Sequence, residues 1–488
     1  MLCLRAASRV LHADVWAAIV AILLVAPVSR AQEQSGEQST AADKPIDSRT
    51  AVTPDKGNAQ DSDSDVGNHS MTGAFDSSLS SVEGRRSYWQ PLVNVSSIID
   101  TDPLTGSQTS GVTSWSAVYG GIDLHRVTRQ SDLTLSYLGG GLISNDGKAD
   151  NAALQQFEFG DRLRLGGRST LSLFNLLNEL PETSFGFSLP LALNLPEGQG
   201  LSLESVFSPN QSILTTRGER IGNASVAEFD RELTAKSSLT FVGGYSLLRF
   251  LDDSGLLDDG EVTLQGGFDH QLTRGRTIGA LYRFNELRFA GIDQPIDAHT
   301  AQLFYGQRVA QRMALRLAAG PAISVFRTPV SPGTTGGGTR STSQAYWTLD
   351  ASISYQQRRE QLGLAYDHSL SGGGGVLPGA ITDQVSGSLT SQISNALGTE
   401  LTVGYARNQG LNTPLTPLLG PGQVYNYWFG GVKVSYAWGR WTSLSLSYQA
   451  QSQNSNVNSC IGAICGTNFV RQTGSIGLTW RPRPRLIR

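Results

Sequence analysis

Apolar and polar residues alternate along most of the chain between Tyr88 and Trp480. In TSLSLSYQAQ (Thr442–Gln451), Leu444, Leu446 and Tyr448 fall on one face. Ser443, Ser445, Ser447, Gln449 and Gln451 fall on the other. A strand sends successive side chains to opposite faces, so this period predicts a strand with one apolar and one polar side. Similar segments recur as LTLSY at Leu133, LSLF at Leu171, LTFVGGY at Leu239 and IGALY at Ile278. They continue with LRLA at Leu315, LGLAY at Leu362, LTVGY at Leu401, LSLSY at Leu444 and IGLTW at Ile476. The repeat predicts an all-β, antiparallel fold.

Short polar turns separate pairs of these segments: VTRQS (Val127–Ser131), GGRS (Gly166–Ser169), TAKS (Thr234–Ser237) and LTRGR (Leu272–Arg276). VAQR (Val309–Arg312), QRRE (Gln357–Glu360), NALGT (Asn395–Thr399) and WGRW (Trp438–Trp441) complete the set. Each is of hairpin length. The other ends of the hairpins are joined by longer stretches rich in Gly, Pro, Asn and Asp, such as FRTPVSPGTTGGGTRSTS and NQGLNTPLTPLLGPGQ. Short turns on one side and long loops on the other are the pattern of transmembrane barrels, whereas a soluble sandwich has no reason to segregate them. A propeller would show four strands per blade with a fixed motif.

Adding LVNVSSIID (Leu92–Asp100) and Phe469–Trp480 to the eight hairpins predicts a closed antiparallel transmembrane β-barrel of about eighteen strands, with sixteen as the smaller alternative. On this reading the stripes Leu444, Leu446, Tyr448 and Trp428, Val432, Val434, Tyr436, Trp438 face lipid. The polar faces line the interior.

The chain ends agree. Residues 1–31 read as a secretory signal peptide: Arg5 and Arg9, the apolar run VWAAIVAILLVAPV, then the small-x-small site Ser29-Arg30-Ala31. The run is short for a spanning helix, which needs about 20 residues. No lipobox cysteine stands at the cleavage point. Residues 32–86 are rich in Ser, Gln, Asp, Ala and Gly, and are expected to form a disordered periplasmic tail. Residues 87–481 make up the barrel. RPRPRLIR follows Trp480, so residues 482–488 form either a short basic periplasmic tail or a sign that the last strand lies elsewhere.

The full chain carries a net charge of −3, and residues 1–31 hold three arginines against one aspartate, so the mature chain stands at −5. Nothing here invites nucleic acid. Mean hydropathy is −0.18, which excludes a helical membrane protein but not a strand barrel. In an oxidising compartment Cys460 and Cys465, within SCIGAICGT, are expected to form a local disulfide. With no histidine nearby they make no metal site.

Function must reside in the lumen and loops. The inward set comprises Asp123, Glu158, Arg162, Arg164, Asp269, Arg283, Arg316, Asp350 and Asp367. These are either ordinary polar wall residues or, with Arg and Asp/Glu on opposite walls, a transverse field that filters solutes. The longest loop, Glu179–Gly222, is too apolar for a linker. Three placements stay open: an inward-folded constriction, an extracellular flap, or an extra hairpin. Folded inward, it would bring Arg217, Glu219 and Arg220 to the lumen.

Catalysis finds little support, because none of His69, His125, His270, His299 and His368 sits in a nucleophile motif. The runs GGGL at Gly139 and SGGGG at Ser371 are expected to be flexible loops. They are not phosphate cradles, since neither joins a strand to a helix with a GK[ST] ending. No cofactor is expected.

The signal, polar tail and hairpin repeat, together with PNQSILTTR (Pro209–Arg217), SLTFVGGYSLLRF (Ser238–Phe250) and ALYRFNELRFAG (Ala280–Gly291), resemble uncharacterised outer-membrane barrel proteins of acidobacterial type. They are also similar in style to porin-type barrels found beside exopolysaccharide gene clusters. The resemblance covers roughly residues 88–480 and transfers no catalytic or binding residue. It implies a Gram-negative outer membrane, with lipid, lipopolysaccharide and the barrel-assembly machinery as partners. The expected function is passive passage of small hydrophilic solutes. Alternatives are a component of exopolysaccharide export, whose 32–86 tail contacts periplasmic partners, and a structural barrel without an open pore.

Overall fold

The computed structural model describes residues 72–74, 87–101, 112–147, 151–180, 207, 213, 219–251, 256–309, 312–329, 339–411, 422–456 and 468–487. All of these fall in one compact unit, residues 64–488. The expected signal peptide, Arg217, Cys460 and Cys465 lie outside the described residues.

The strands are β1 (Tyr88–Asp100), β2 (Thr113–Val127), β3 (Ser131–Ser144), β4 (Ala152–Arg164), β5 (Ser169–Leu180) and β6 (Arg220–Thr234). There follow β7 (Ser237–Phe250), β8 (Asp259–Thr273), β9 (Arg276–Phe289), β10 (Ile292–Val309), β11 (Met313–Pro329) and β12 (Thr339–Gln357). The last are β13 (Glu360–Ser371), β14 (Ala380–Gln392), β15 (Leu397–Gly410), β16 (Val424–Ala437), β17 (Thr442–Ser455), β18 (Phe469–Trp480) and the two-residue β19 (Arg485–Leu486).

Each of the first seventeen strands pairs antiparallel with the next. β1 then pairs with β18, from Val93 opposite Trp480 to Asp100 opposite Thr473. The sheet is therefore a closed eighteen-stranded barrel, and closure leaves no row of backbone groups unpaired in lipid. All eight polar turns read from the sequence fall between strands at the end of the barrel where β1 begins. No described helix is long and apolar enough to cross a membrane.

The apolar stripes face outward. Leu446 is 60% exposed, and Leu444, Tyr448, Val432, Trp428, Tyr436 and Trp438 share its outer surface. Trp438 stands beside a short turn, where aromatic side chains favour the membrane interface. A polar cluster on β5 and β6 also lies on this surface. Asn175 donates to Ser225 at 2.7 Å, Ser225 to Asn223 at 3.0 Å, and Asn223 to the Leu176 carbonyl at 3.2 Å.

Several expectations need correction. The long-loop side contains one tight turn: β9 and β10 are joined by Ala290–Gly291 alone, with Gly291 at φ 76°, a conformation glycine reaches without steric cost. Gly139–Leu142 is not a loop but the middle of β3. The long loop begins after Leu180 and ends before Arg220.

The basic tail is neither free nor evidence of a misplaced strand. It adds β19, which pairs Leu486 with Tyr88 and Arg485 with Trp89. Gln90 donates to the Pro482 carbonyl at 2.6 Å, and the Arg485 guanidinium lies 5.2 Å from the Trp89 ring centroid. The tail thus continues the closing seam below β18. Truncation after Arg481 is expected to leave the barrel closed but to lower its unfolding free energy by about 1–2 kcal/mol, the loss of one or two hydrogen bonds. A urea titration of the detergent-solubilised protein measures this.

Candidate functional site in the barrel lumen

The inner face is set by the same two-residue period that makes the outer face apolar. Every residue of the inward set lies on a strand. Asp123, Glu158, Arg162 and Arg164 occupy the arc β2–β4, and Asp269, Arg283, Arg316, Asp350 and Asp367 the arc β8–β13. Each arc mixes both signs, so positive and negative charges are not segregated onto opposite walls.

Asp123 is tied into the seam. It accepts from Arg481 at 2.8 Å and from Ser136 at 2.7 Å. Asp350 and Asp367 stand directly opposite each other on β12 and β13. Gln302 donates to Asp350 at 2.7 Å and to Thr348 at 3.0 Å, and Ser369 donates to Asp367. The Arg316 guanidinium lies 5.7 Å from the Phe304 ring centroid. Arg220 is buried at the start of β6, and Glu219, just before it, accepts the Leu251 N–H at 2.8 Å through its carbonyl.

The long loop reaches the interior at its described residues. Phe207 is buried with Phe174, Val226 and Val242, three inward positions on β5, β6 and β7. Ile213 is buried with Val376, Leu377, Ala380 and Tyr425. This matches an inward fold at these two positions.

The glycine-rich stretch after β13 also turns inward, contrary to the expected flexible loop. Ser371–Ala380 is buried throughout, and Gly373, Gly374, Gly375 and Gly379 all have positive φ. It crosses towards β7 and β8. The Leu257 N–H donates to the Gly375 carbonyl at 2.8 Å, and a Cβ on Gly375 would lie 2.5 Å from the Phe250 ring. Beside it Leu287, Phe289, Ile296, Phe326 and Leu411 form an apolar cluster. The loop side of the lumen is thus packed along this arc.

Sequence reasoning missed one element entirely. Thr72, Gly73 and Ala74, from the segment expected to be a periplasmic tail, lie inside the barrel. The Thr72 N–H and hydroxyl donate to Asp269 at 3.3 and 2.9 Å, and the Ala74 N–H donates to Glu228. Gln265 donates to the Thr72 carbonyl at 2.6 Å and accepts from Arg283 Nε at 2.6 Å. The Arg283 guanidinium in turn lies 5.7 Å from the Phe207 ring centroid. One network therefore joins the N-terminal segment, the wall and the long loop. Nothing in the run MTGAF marks it for this role.

The polar stripe of β17 is buried rather than open to the lumen. Ser445, Ser447, Gln449, Gln451 and Gln453 face inward, and Gln449 is only 2% exposed.

Catalytic geometry is thin. Ser237 and His270 are 2.9 Å apart at the turn end of β7 and β8, and among the described hydrogen bonds no carboxylate orients the ring. A general base without its orienting partner falls short of a nucleophile triad. His125 and His368 each meet a carboxylate, Asp132 and Asp383, at 2.7 and 2.5 Å.

No protein-family model and no curated protein matches the sequence. Among solved structures, the chain is similar to Pseudomonas aeruginosa OpdQ, with 11% identity, a TM-score of 0.40, and 82% of this chain and 99% of that one covered. It is similar to Pseudomonas aeruginosa OccK2 (OpdF) at 11% identity and TM-score 0.39, covering 80% and 98%. It is similar to Acinetobacter baumannii OccAB1 at 10% identity and TM-score 0.38, covering 83% and 99%. By its own closure, its lipid-facing belt and its eight short polar turns at the end where β1 begins, the chain is an eighteen-stranded β-barrel of the bacterial outer membrane.

Proposed function

We propose that the protein is a porin-like channel for small hydrophilic solutes, closed or narrowed at rest. The observation that supports this is the inner wall. A barrel that only anchored something could fill its interior with apolar side chains. This one lines it with Ser, Thr, Gln, Asn and charges of both signs, among them Asp350, Asp367, Arg283 and Arg316. Charged and amide groups along a passage replace part of a solute's hydration shell and discriminate by charge.

Packing of Ser371–Ala380 across the loop side and burial of the β17 stripe favour a narrow resting passage over a wide one. Purified protein in planar lipid bilayers is expected to give discrete current steps, small for a barrel of eighteen strands. Complete absence of steps, from protein shown to be folded by its heat-modifiable migration, would favour the structural barrel.

A further inference from the structure

Thr72–Ala74 occupies a site built for it. Two of its N–H donors, those of Thr72 and Ala74, point at two carboxylates, Asp269 and Glu228, each at most 4% exposed. Hydrogen bonds to a charged acceptor are roughly twice as strong as neutral ones. Gln265 reads the carbonyl between those donors. Both surfaces are also shaped for contact. A Cβ on Gly73 would lie 2.4 Å from a Glu228 oxygen, and a Cβ on Gly267 of the wall would lie 2.3 Å from the Thr72 hydroxyl. Two glycines, one on each partner, make room for the facing side chains: Gly73 for the Glu228 carboxylate and Gly267 for the Thr72 side chain. Ala74 completes the fit by packing with Phe174, Phe207, Val226 and Val242.

The seat lies in the turn-side half of the lumen. Asp269 is four residues above the end of β8, and Glu228 six above the end of β6. The chain re-enters the wall at Tyr88, so residues 75–87 are the tether. Thirteen residues reach at most roughly 45 Å. A tether of this length holds its end at an effective concentration on the order of millimolar. Modest contacts then suffice to keep the seat filled, and it can still empty.

We infer that residues 72–74 are a tethered internal ligand of the wall formed by Glu228, Gln265, Gly267 and Asp269, and that their seating narrows the passage while their release widens it. This rests on the channel reading above.

The test uses the full mature chain and two variants that approach the seat from opposite sides. Gly73→Val alters only the segment and leaves the wall intact; Gly267→Val fills the seat from the wall. Each is made with and without Thr72→Cys, in a Cys460→Ser/Cys465→Ser background. Labelling of the single thiol by a membrane-impermeant maleimide reports seating, and planar-bilayer conductance reports gating.

In the otherwise unaltered barrel the thiol is expected to react slowly. In both valine variants it should react about tenfold faster, with single-channel conductance raised on the order of twofold. Should Gly267→Val fail to assemble, Gly73→Val decides alone. A thiol that reacts at once without either valine, in a protein whose conductance equals that of the barrel keeping Thr72, overturns the seat. A thiol that becomes reactive while a measurable conductance stays the same overturns the gate and leaves the channel standing. An exposed thiol with no current from any of the proteins overturns the channel reading, and the gate with it.

Discussion

Replacing Asp100 with alanine is expected to lower the unfolding free energy of the barrel by about 3–5 kcal/mol, the cost of leaving one member of a buried ion pair without its partner. Asp100 ends β1 and Arg471 lies near the start of β18, so the pair spans the one seam that joins the first strand to the last. Arg471 Nε donates to both Asp100 oxygens at 3.0 Å, and Nη2 meets the same carboxylate. The side chains are 12% and 4% exposed, so water screens the pair weakly.

Beside it the Thr101 N–H donates to the Gln472 carbonyl at 2.9 Å and the Gln472 N–H to the Thr101 hydroxyl at 2.8 Å, which holds the two strand ends in register. Urea unfolding in detergent micelles, followed by heat-modifiable migration, measures the effect. The double variant Asp100→Leu/Arg471→Met separates charge pairing from packing, since removing both partners of a buried pair is often close to neutral. If Asp100→Ala proved neutral, the pair would contribute nothing to closure.

Introducing arginine on the outer face is the second large effect. Leu446→Arg is expected to destabilise the barrel by about 2–4 kcal/mol when it folds into lipid vesicles, the cost of a cation near the middle of the hydrocarbon. Leu446 lies four residues above the turn-side end of β17, and a strand rises about 3.4 Å per residue, which puts it roughly 10–13 Å into the span. Its neighbours across the strands are Val434 and Ile476. Leu486 is equally exposed but sits on β19 beyond the last spanning strand, so Leu486→Arg should cost close to nothing. In a soluble protein both exposed leucines would accept arginine freely. The difference between the two positions therefore measures the lipid, and equal, negligible effects would remove the membrane assignment.

The strands and turn-side hairpins were legible because both are local. Alternation at two residues is imposed by the pleat itself, and it survives in segments as short as LSLSY. A bend needs only Gly or polar residues at the right place, as in GGRS and TAKS. Which face meets oil was also settled in sequence, because all eight polar turns fall on one side and the long loops on the other.

The lumen's contents could not be read this way. Closure brings Thr72 beside Asp269, 197 positions away, and Ala74 beside Glu228, 154 positions away. No periodicity links such residues. Gly267 reads as one more small strand residue until the Thr72 side chain lies against it. Gly373–Gly375 reads as flexible because glycine permits so many conformations. The packing of Phe250 and Ile213 against it selects one of them. The charges of β2–β4 and β8–β13 could be assigned to the inner face from parity alone, but their partners depend on which strands become neighbours around the ring. The sequence by itself determined a closed barrel and its inside and outside, since those follow from side-chain alternation and turn chemistry. Only the tertiary structure decided what fills it, since that follows from contacts between residues far apart in the chain.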